Sequence, residues 1–261
     1  MSEIKKNRLF MQCPSFEGSM TKSDQQNGVE HPSYENHKTG TFIELPAFDD
    51  AVVCPSYLDL LDQRRSERVY TDVAMTQEQL AFMLWSSQGI QMTRGKGGVS
   101  TFRPVPSGGA RHPFELHIVV KNVEGLEPGF YHYVPTEHIG EKKVTIEHIG
   151  PLFDDYDTKM NELLVGQKWA VKSPVLLFVS CIPYRAEWRY SEAAHRVMLI
   201  DLGHIGQNMM LSATALGLGS CCLAAYHQKL CDETFGFNGI DEYTVYVLTL
   251  GKVKAKDPQE E

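Results

Sequence analysis

Arg64-Arg65-Ser66-Glu67-Arg68, Pro106-Ser107-Gly108-Gly109-Ala110-Arg111-His112-Pro113 and Gly217-Leu218-Gly219-Ser220-Cys221-Cys222-Leu223-Ala224-Ala225 are the stretches on which the reading of this chain turns. The first sets three guanidiniums and a hydroxyl within five residues, enough to hold a phosphate dianion by charge-assisted, bidentate bonds. In the second, two glycines without a Cβ let main chain come close to a ligand. The third follows an apolar helical stretch and is rich in small residues, so a flat ring could lie against its backbone. Taken alone, an arginine cluster is an ordinary solvated helix end and a Ser-Gly-Gly run an ordinary turn. It is the order and spacing of the three that carry the reading.

Working outward, helices and strands interleave. Pro55 suits a first helical residue, and Leu58, Leu61 and the stem of Arg65 fall at helical spacing, so a helix would deliver the arginines at its C-terminal side. Thr76 with Gln79 forms a capping-box pattern that opens a helix through Leu80, Met83 and Leu84 to about Gln88. Phe114, Leu116, Ile118 and Val120 alternate with Glu115, His117 and Val119, which predicts a strand with one face more apolar than the other. Pro128-Gly129 starts a second strand over Phe130 to Val134. A helix is expected near Phe153 to Gln167, and a buried strand over Pro174 to Cys181. The longest helical pattern runs from Glu192 to Leu216, with Val197, Ile200, His204 and Asn208 recurring along it. Tyr243 to Leu250 is almost wholly apolar, as a central strand would be. With no regular βαβ period and no internal repeat, the fold class is α+β.

Thr21 to Gly40 is dominated by Ser, Asn, Gln, Lys and Glu and keeps no period, so residues 1–50 read as a polar N-terminal arm and 51–256 as the folded domain. Either a disordered arm or one that wraps a partner subunit fits this composition. The 261 residues suffice for one sizeable core. A net charge of −8 argues against nucleic acid or an anionic membrane as partner, and the arginine cluster against that background favours a small anionic ligand. The longest apolar run, near Pro174 to Ile182, is strand-sized, and the first twenty residues show no apolar segment of the secretory kind. Six cysteines (Cys13, Cys54, Cys181, Cys221, Cys222 and Cys231) form no CxxC pair, and ten histidines show no HExxH, so no metal site is expected and a reducing cytoplasm is the simplest home.

The three segments, in this order, resemble the FMN-dependent nitroreductase family and its SagB-type dehydrogenase branch. The likeness extends over roughly residues 50–252 and includes Leu84-Trp85-Ser86-Ser87-Gln88-Gly89-Ile90, Pro128-Gly129-Phe130-Tyr131-His132-Tyr133, Asp201-Leu202-Gly203-His204-Ile205-Gly206-Gln207-Asn208 and Leu248-Thr249-Leu250-Gly251. It implies a nitroreductase-like fold: a central, mostly antiparallel sheet flanked by helices, in a homodimer with FMN at the interface. It assigns the FMN phosphate and ribityl chain to Arg64, Arg65, Ser66 and Arg68. It brings Pro106, Ser107, Gly108 and Gly109 to the flavin from the second subunit, and it sets the backbone of Cys222, Leu223, Ala224 and Ala225 beside the ring. Gln167 and Lys168 would meet the pyrimidine edge, and Lys252 and Lys254 would complete the phosphate pocket; Lys256 reads as an exposed tail lysine. Ala110 stands where many members have asparagine, and Cys222 and the two alanines depart from a pattern in which some members carry proline at the first position and Glu-Gly or Gly-Gly at the last two, so a carboxylate contact to the ring is lost while backbone donation survives. Cys222 itself reads as packing.

On the substrate side the candidates are Arg111, Arg189 and Tyr190, with His112 either there or on a surface turn. Azoline-oxidising members of the branch carry a Lys-Tyr pair where this chain has Trp188-Arg189-Tyr190, and arginine does not readily serve as a base. The leading reading is therefore an oxidoreductase that takes hydride from NAD(P)H through FMN to a small oxidant such as a nitroaromatic or quinone. The alternatives are a SagB-like dehydrogenase acting on an azoline or peptide-derived heterocycle, and a module that only binds or sequesters flavin.

Overall fold

Val175–Cys181, the apolar run expected as a buried strand, is β7 and lies near the middle of a seven-stranded sheet of order β1-β6-β5-β4-β7-β9-β8. The computed structural model describes Lys5, Arg8, Phe10 and residues 21–36, 39–95 and 99–254; Cys13 and Lys256 lie outside them. The other strands are β1 (Thr41–Glu44), β4 (Phe114–Val120), β5 (Gly129–Tyr133), β6 (Thr145–Pro151), β8 (Gly219–Leu223) and β9 (Tyr243–Gly251). Their ladders are all antiparallel. A separate hairpin pairs β2 (Met92–Arg94) with β3 (Ser100–Phe102). The Tyr243 strand is interior as its composition demands, paired with β7 on one side and β8 on the other.

Helices cover both faces, completing the α+β nitroreductase-like architecture. On one face α2 (Gln77–Gln88), α5 (Tyr184–Tyr190) and α6 (Ala194–Ala215) pack their apolar residues on Leu116, Ile118, Leu177, Val179 and Leu248. On the other, α3 (Tyr156–Leu163), α4 (Lys168–Val171) and α7 (Gln228–Phe235) close over Val119, Leu176, Phe178 and Val247. The capping box of Thr76 and Gln79 is formed with both reciprocal bonds, which fixes where α2 begins. Helix α1 (Tyr57–Gln63) lies against α6 but buries none of its own residues; Leu58 is 75% exposed.

Three elements differ from expectation for local reasons. The Phe153–Gln167 stretch is broken because Val165 and Gly166 adopt φ of 46° and 82°, which no α-helix continues through. Strand β4 is buried along its whole length, because its second face carries Glu115 and His117 into a paired polar interior. In α6 the inward stripe is Ala194, Met198, Leu202, Ile205, Met209 and Ala213, one step round from the Val197–Ile200–His204–Asn208 line; Ile200 is 52% exposed. Two apolar stripes run side by side there, and periodicity alone does not choose between them.

The polar N-terminal stretch has structure of its own. β1 pairs with β6 as the sheet's edge strand although it lies before residue 51, and residues 21–36 run over α5 of the same chain.

Candidate functional site

Helix α1 ends at Gln63, so Arg64 is its C-cap and the arginine segment leaves the helix as extended chain. It is held there by a parallel bridge between Ser66 and Ser220 and by Glu67 N–H donating to the Ser220 carbonyl at 2.9 Å. This brings the first and third sequence segments together at the β8 edge of the sheet. The third segment is thus a strand through Leu223, with Ala224 and Ala225 exposed beyond it. Gln167 joins the same edge by donating from Nε2 to the Ala225 carbonyl at 2.7 Å. Thr71 N–H donates to the Lys252 carbonyl at 2.8 Å, which sets Lys252 beside the arginine segment; Lys254 is exposed. Lys168 opens instead onto a cleft of about 370 Å³ shared with Lys121 and Lys172.

The donors at this edge suit a phosphate. Among the described residues neither Arg64 nor Arg68 has a carboxylate partner, and the Arg68 guanidinium lies 5.5 Å from the centre of the Trp169 ring. Arg65 is different: its Nη1 donates to the carbonyls of Asp62 at 2.6 Å and Arg64 at 2.9 Å. Burial pushes the Cys222 thiol up to about 11, and the Cys221 thiol is also raised by burial. Both stay neutral near pH 7, and Cys222 packs against Gly206 and Tyr246. A neutral, half-buried sulfur is consistent with packing.

The Pro106–Pro113 turn sits elsewhere on the same chain, against α5, α6 and β3. Asp201 of α6 clips it, accepting from Ser107 Oγ at 2.7 Å and from Gly108 N–H at 3.0 Å. Burial raises the Asp201 carboxyl above its usual range, and these two donors oppose the rise. Ser107 Oγ in turn accepts from His112 N–H at 2.9 Å. Gly109, Ala110 and His112 have φ of 58°, 54° and 44°, so the turn stores left-handed strain at two non-glycine residues. The space beside its glycines is already filled. A Cβ on Gly108 would meet Val197 at 2.3 Å, and one on Gly109 would meet Arg189 at 2.5 Å and Tyr190 Oη at 2.7 Å. Gly108 is thus required by close packing against Val197 of α6, whereas at Gly109 it is the left-handed φ that favours glycine, since Arg189 and Tyr190 could swing aside. His112 is buried, not on a surface turn. Its Nε2 lies 3.0 Å from the Thr101 carbonyl and so carries the proton; burial, with Arg103 nearby, lowers its pKa to about 2.

Arg111, Arg189 and Tyr190 do come together. Arg111 Nε donates to the Gly109 carbonyl at 3.2 Å and its guanidinium lies 5.0 Å over Trp188; Arg189 lies 5.6 Å over Tyr190. The segment 21–36 wraps this cluster. Gln25 N–H bonds the Trp188 carbonyl at 2.9 Å, Arg189 Nη1 donates to Gln25 Oε1 at 3.0 Å, and Trp188 Nε1 donates to the Val29 carbonyl at 3.0 Å. His31 stacks on Tyr34 and meets Trp188 edge-on. Asp201, Gln25 and Trp169 were outside the sequence-derived site. Only Asp201 left a signal, as a lone acid within an apolar helix, and polar composition hid Gln25.

Glu115, His117 and His132 place ligand-type atoms within 4.8 Å of one another. Cross-strand pairing of His117 with His132 creates the group, so no spacing in the sequence could show it. The two rings are stacked at 4.8 Å and 22°, which leaves their in-plane lone pairs side by side rather than convergent on one ion. Burial favours the neutral Glu115 carboxyl, but Arg185 at 2.5 Å and His132 at 2.9 Å outweigh it and hold it well below the usual range. This is a charge-compensated core cluster that fits a cation poorly.

The sequence profile described as the Nitroreductase family matches residues 61–252. A candidate nitroreductase, MJ1384 of Methanocaldococcus jannaschii, is 29% identical over 213 residues, covering 80% of this chain and 96% of that protein. The trifolitoxin-processing protein TfxB of Rhizobium leguminosarum bv. trifolii is 35% identical over 119 residues, covering 44% of this chain but 30% of its own length. Among solved structures, a chain of the E. coli microcin synthetase McbBCD complex with truncated pro-MccB17 bound superposes with a TM-score of 0.55 and 18% identity, covering 98% of both chains. With the profile matched from the end of α1 to the end of β9, the chain belongs to the nitroreductase family of oxidoreductases.

Proposed function

We propose that the chain is a cytoplasmic, homodimeric flavoenzyme that passes hydride from NAD(P)H through FMN to a small oxidant such as a nitroaromatic or quinone. The observation that carries this reading is the Ser66–Ser220 bridge, which sets the Arg64–Arg68 segment against the small-residue edge of β8. Arg64, Arg68 and Ser66 would hold the FMN phosphate, with Lys252 alongside. The backbone from Cys222 to Ala225, fixed by Gln167, would border the ring. When bound, FMN supplies the hydride-accepting and hydride-donating centre, so no side chain has to act as nucleophile. The protein's part is to hold the ring, exclude water and orient the acceptor. Family flavoproteins generally pair flavin with NAD(P)H, and an all-antiparallel sheet offers no dinucleotide-binding crevice, which favours transient docking of nicotinamide at the flavin. Exposed Tyr57, Leu58 and Leu61 on α1 and Leu199 and Ile200 on α6 favour a second copy as the missing cover.

A second reading is a SagB-like dehydrogenase of an azoline or other peptide-derived heterocycle. The likeness to TfxB favours it, and Tyr190 stands where the branch's tyrosine is expected; Arg189 in place of lysine weighs against it. The test is anaerobic stopped-flow on the yellow protein. The primary reading expects FMN on denaturation, bleaching by NADH or NADPH, and reoxidation by a nitroaromatic or quinone. Bleaching by a thiazoline peptide and none by either nicotinamide would replace it with the second. FAD alone, or no flavin after reconstitution, would remove both.

A further inference from the structure

Arg111 and Arg189 converge on one glycine, and among the described residues neither has a carboxylate partner. Arg111 is buried and donates from Nε to the Gly109 carbonyl and from Nη2 to the carbonyls of Val99 and Ala110, which leaves Nη1 as its uncommitted end, and the Arg189 Cδ and Nε lie where a Gly109 Cβ would project. Each guanidinium has an aromatic floor, Trp188 under Arg111 and Tyr190 under Arg189. Four nearby carboxylates are otherwise engaged: Glu187 pairs with His195, Glu192 accepts from Thr21, Asp24 accepts from Tyr184, and Asp201 is held by the turn. Burial, followed by the neighbouring Arg189 charge, lowers the Arg111 pKa. Two like charges held together on rings without a counter-ion constitute a standing demand for an anion.

We propose that Arg111 and Arg189 form an oxyanion subsite that selects electron acceptors bearing a carboxylate or phosphate group, and that Gln25 positions Arg189 for it. Tyr190 Oη, at the same glycine, lines the subsite. Arg189 Nη1 rests on Gln25 Oε1, leaving the rest of the fork for a ligand. Because Gln25 is tied to Trp188 through its own backbone, the segment 21–36 acts as one wall of the subsite. This inference names the substrate class of the oxidoreductase proposed above and rests on that reading for its catalytic meaning, but the anion site can be tested without turnover.

Titration calorimetry on the full chain with benzoate, phenyl phosphate and benzamide gives the direct test. Both anions should bind more tightly than benzamide, and the tighter of the two identifies the group as carboxylate or phosphate. Arg189→Gln should weaken the anions about tenfold or more while leaving benzamide unchanged; Arg189→Lys should recover part of the loss. Gln25→Glu should abolish anion binding by occupying Arg189 with an internal carboxylate, with the melting temperature held, whereas Gln25→Ala should weaken it only a few-fold. With flavin loaded, Arg189→Gln should raise KM for 4-nitrobenzoate but not for nitrobenzene, at similar kcat. Equal binding of benzoate and benzamide, or benzoate affinity indifferent to Arg189→Gln, overturns the subsite. Absence of reductase activity with intact benzoate binding would count against the proposed function and leave the subsite standing.

Discussion

Arg64, Arg65 and Arg68 look equivalent in sequence, and the structure separates them by what already occupies each. Arg65 Nη1 is held by the Asp62 and Arg64 carbonyls at the helix end, whereas Arg68 makes only one long bond, from Nη1 to the Ser66 carbonyl at 3.4 Å, and Arg64 makes no side-chain bond among the described residues. Arg64→Ala or Arg68→Ala should therefore weaken FMN binding by about 1.5–3 kcal/mol each, and Arg65→Ala by well under that, measured by quenching of flavin fluorescence. Which arginine of the motif is available depends on carbonyl positions at a helix end, and that is not written in residue order. His112 and His117 show the same limit. Burial is the first cause of both low pKa values, about 2 and about 4. Below a pH of about 6.5 the unfolded chain binds protons at these sites and the folded chain does not, so stability rises with pH across that window and is lost on acidification. Each group contributes a slope of up to about 1.4 kcal/mol per pH unit. Denaturant titrations at pH 7 and pH 5 should show the loss, and His112→Asn should flatten the profile; a pH-independent midpoint would refute it.

Among the elements, those whose limits rest on local chemistry were legible: the capped α2, the apolar β7 and β9, and a helix ending at the arginines. Those decided by neighbours were not. Gly219–Leu223 has small residues that suggest a backbone surface but become a strand only because β9 offers a free edge. The Ser-Gly-Gly turn was legible as a turn, but not that α6 clips it. Asp201→Ala should leave the half-buried Ser107 hydroxyl and Gly108 N–H without acceptors, at about 1 kcal/mol for each. The melting temperature should drop by several degrees, and the Trp188 emission should shift as the turn loosens against α5. An unchanged melting temperature would show that the turn is held by packing alone.

For the molecule as a whole, the α+β class followed from interleaved elements and the antiparallel sheet from the family resemblance, whereas the fate of the polar arm followed from neither. Glu35, Asn36 and Gly40 bond partners at Thr136, Glu115 and Glu147, residues far along the chain, and composition says nothing about such pairing. The uncovered apolar face of α1 makes the assembled state a matter of experiment. Leu58→Glu with Leu61→Glu should yield a monomer in sedimentation with reduced flavin content, while a wild-type monomer that keeps its flavin would contradict the dimer. The bridge from Ser66 to Ser220 has a further consequence in time. It ties a segment near the start of the domain to one synthesised close to its end, so the loop it closes is long and its contacts are among the most non-local in the fold. A nascent or partly refolded chain cannot present the cofactor edge, even with most of its sheet in place. Flavin capture should therefore coincide with the slowest phase of refolding. Protein released early from the ribosome or the unfolding bath would be colourless, and gain of colour would mark completion of this long closure.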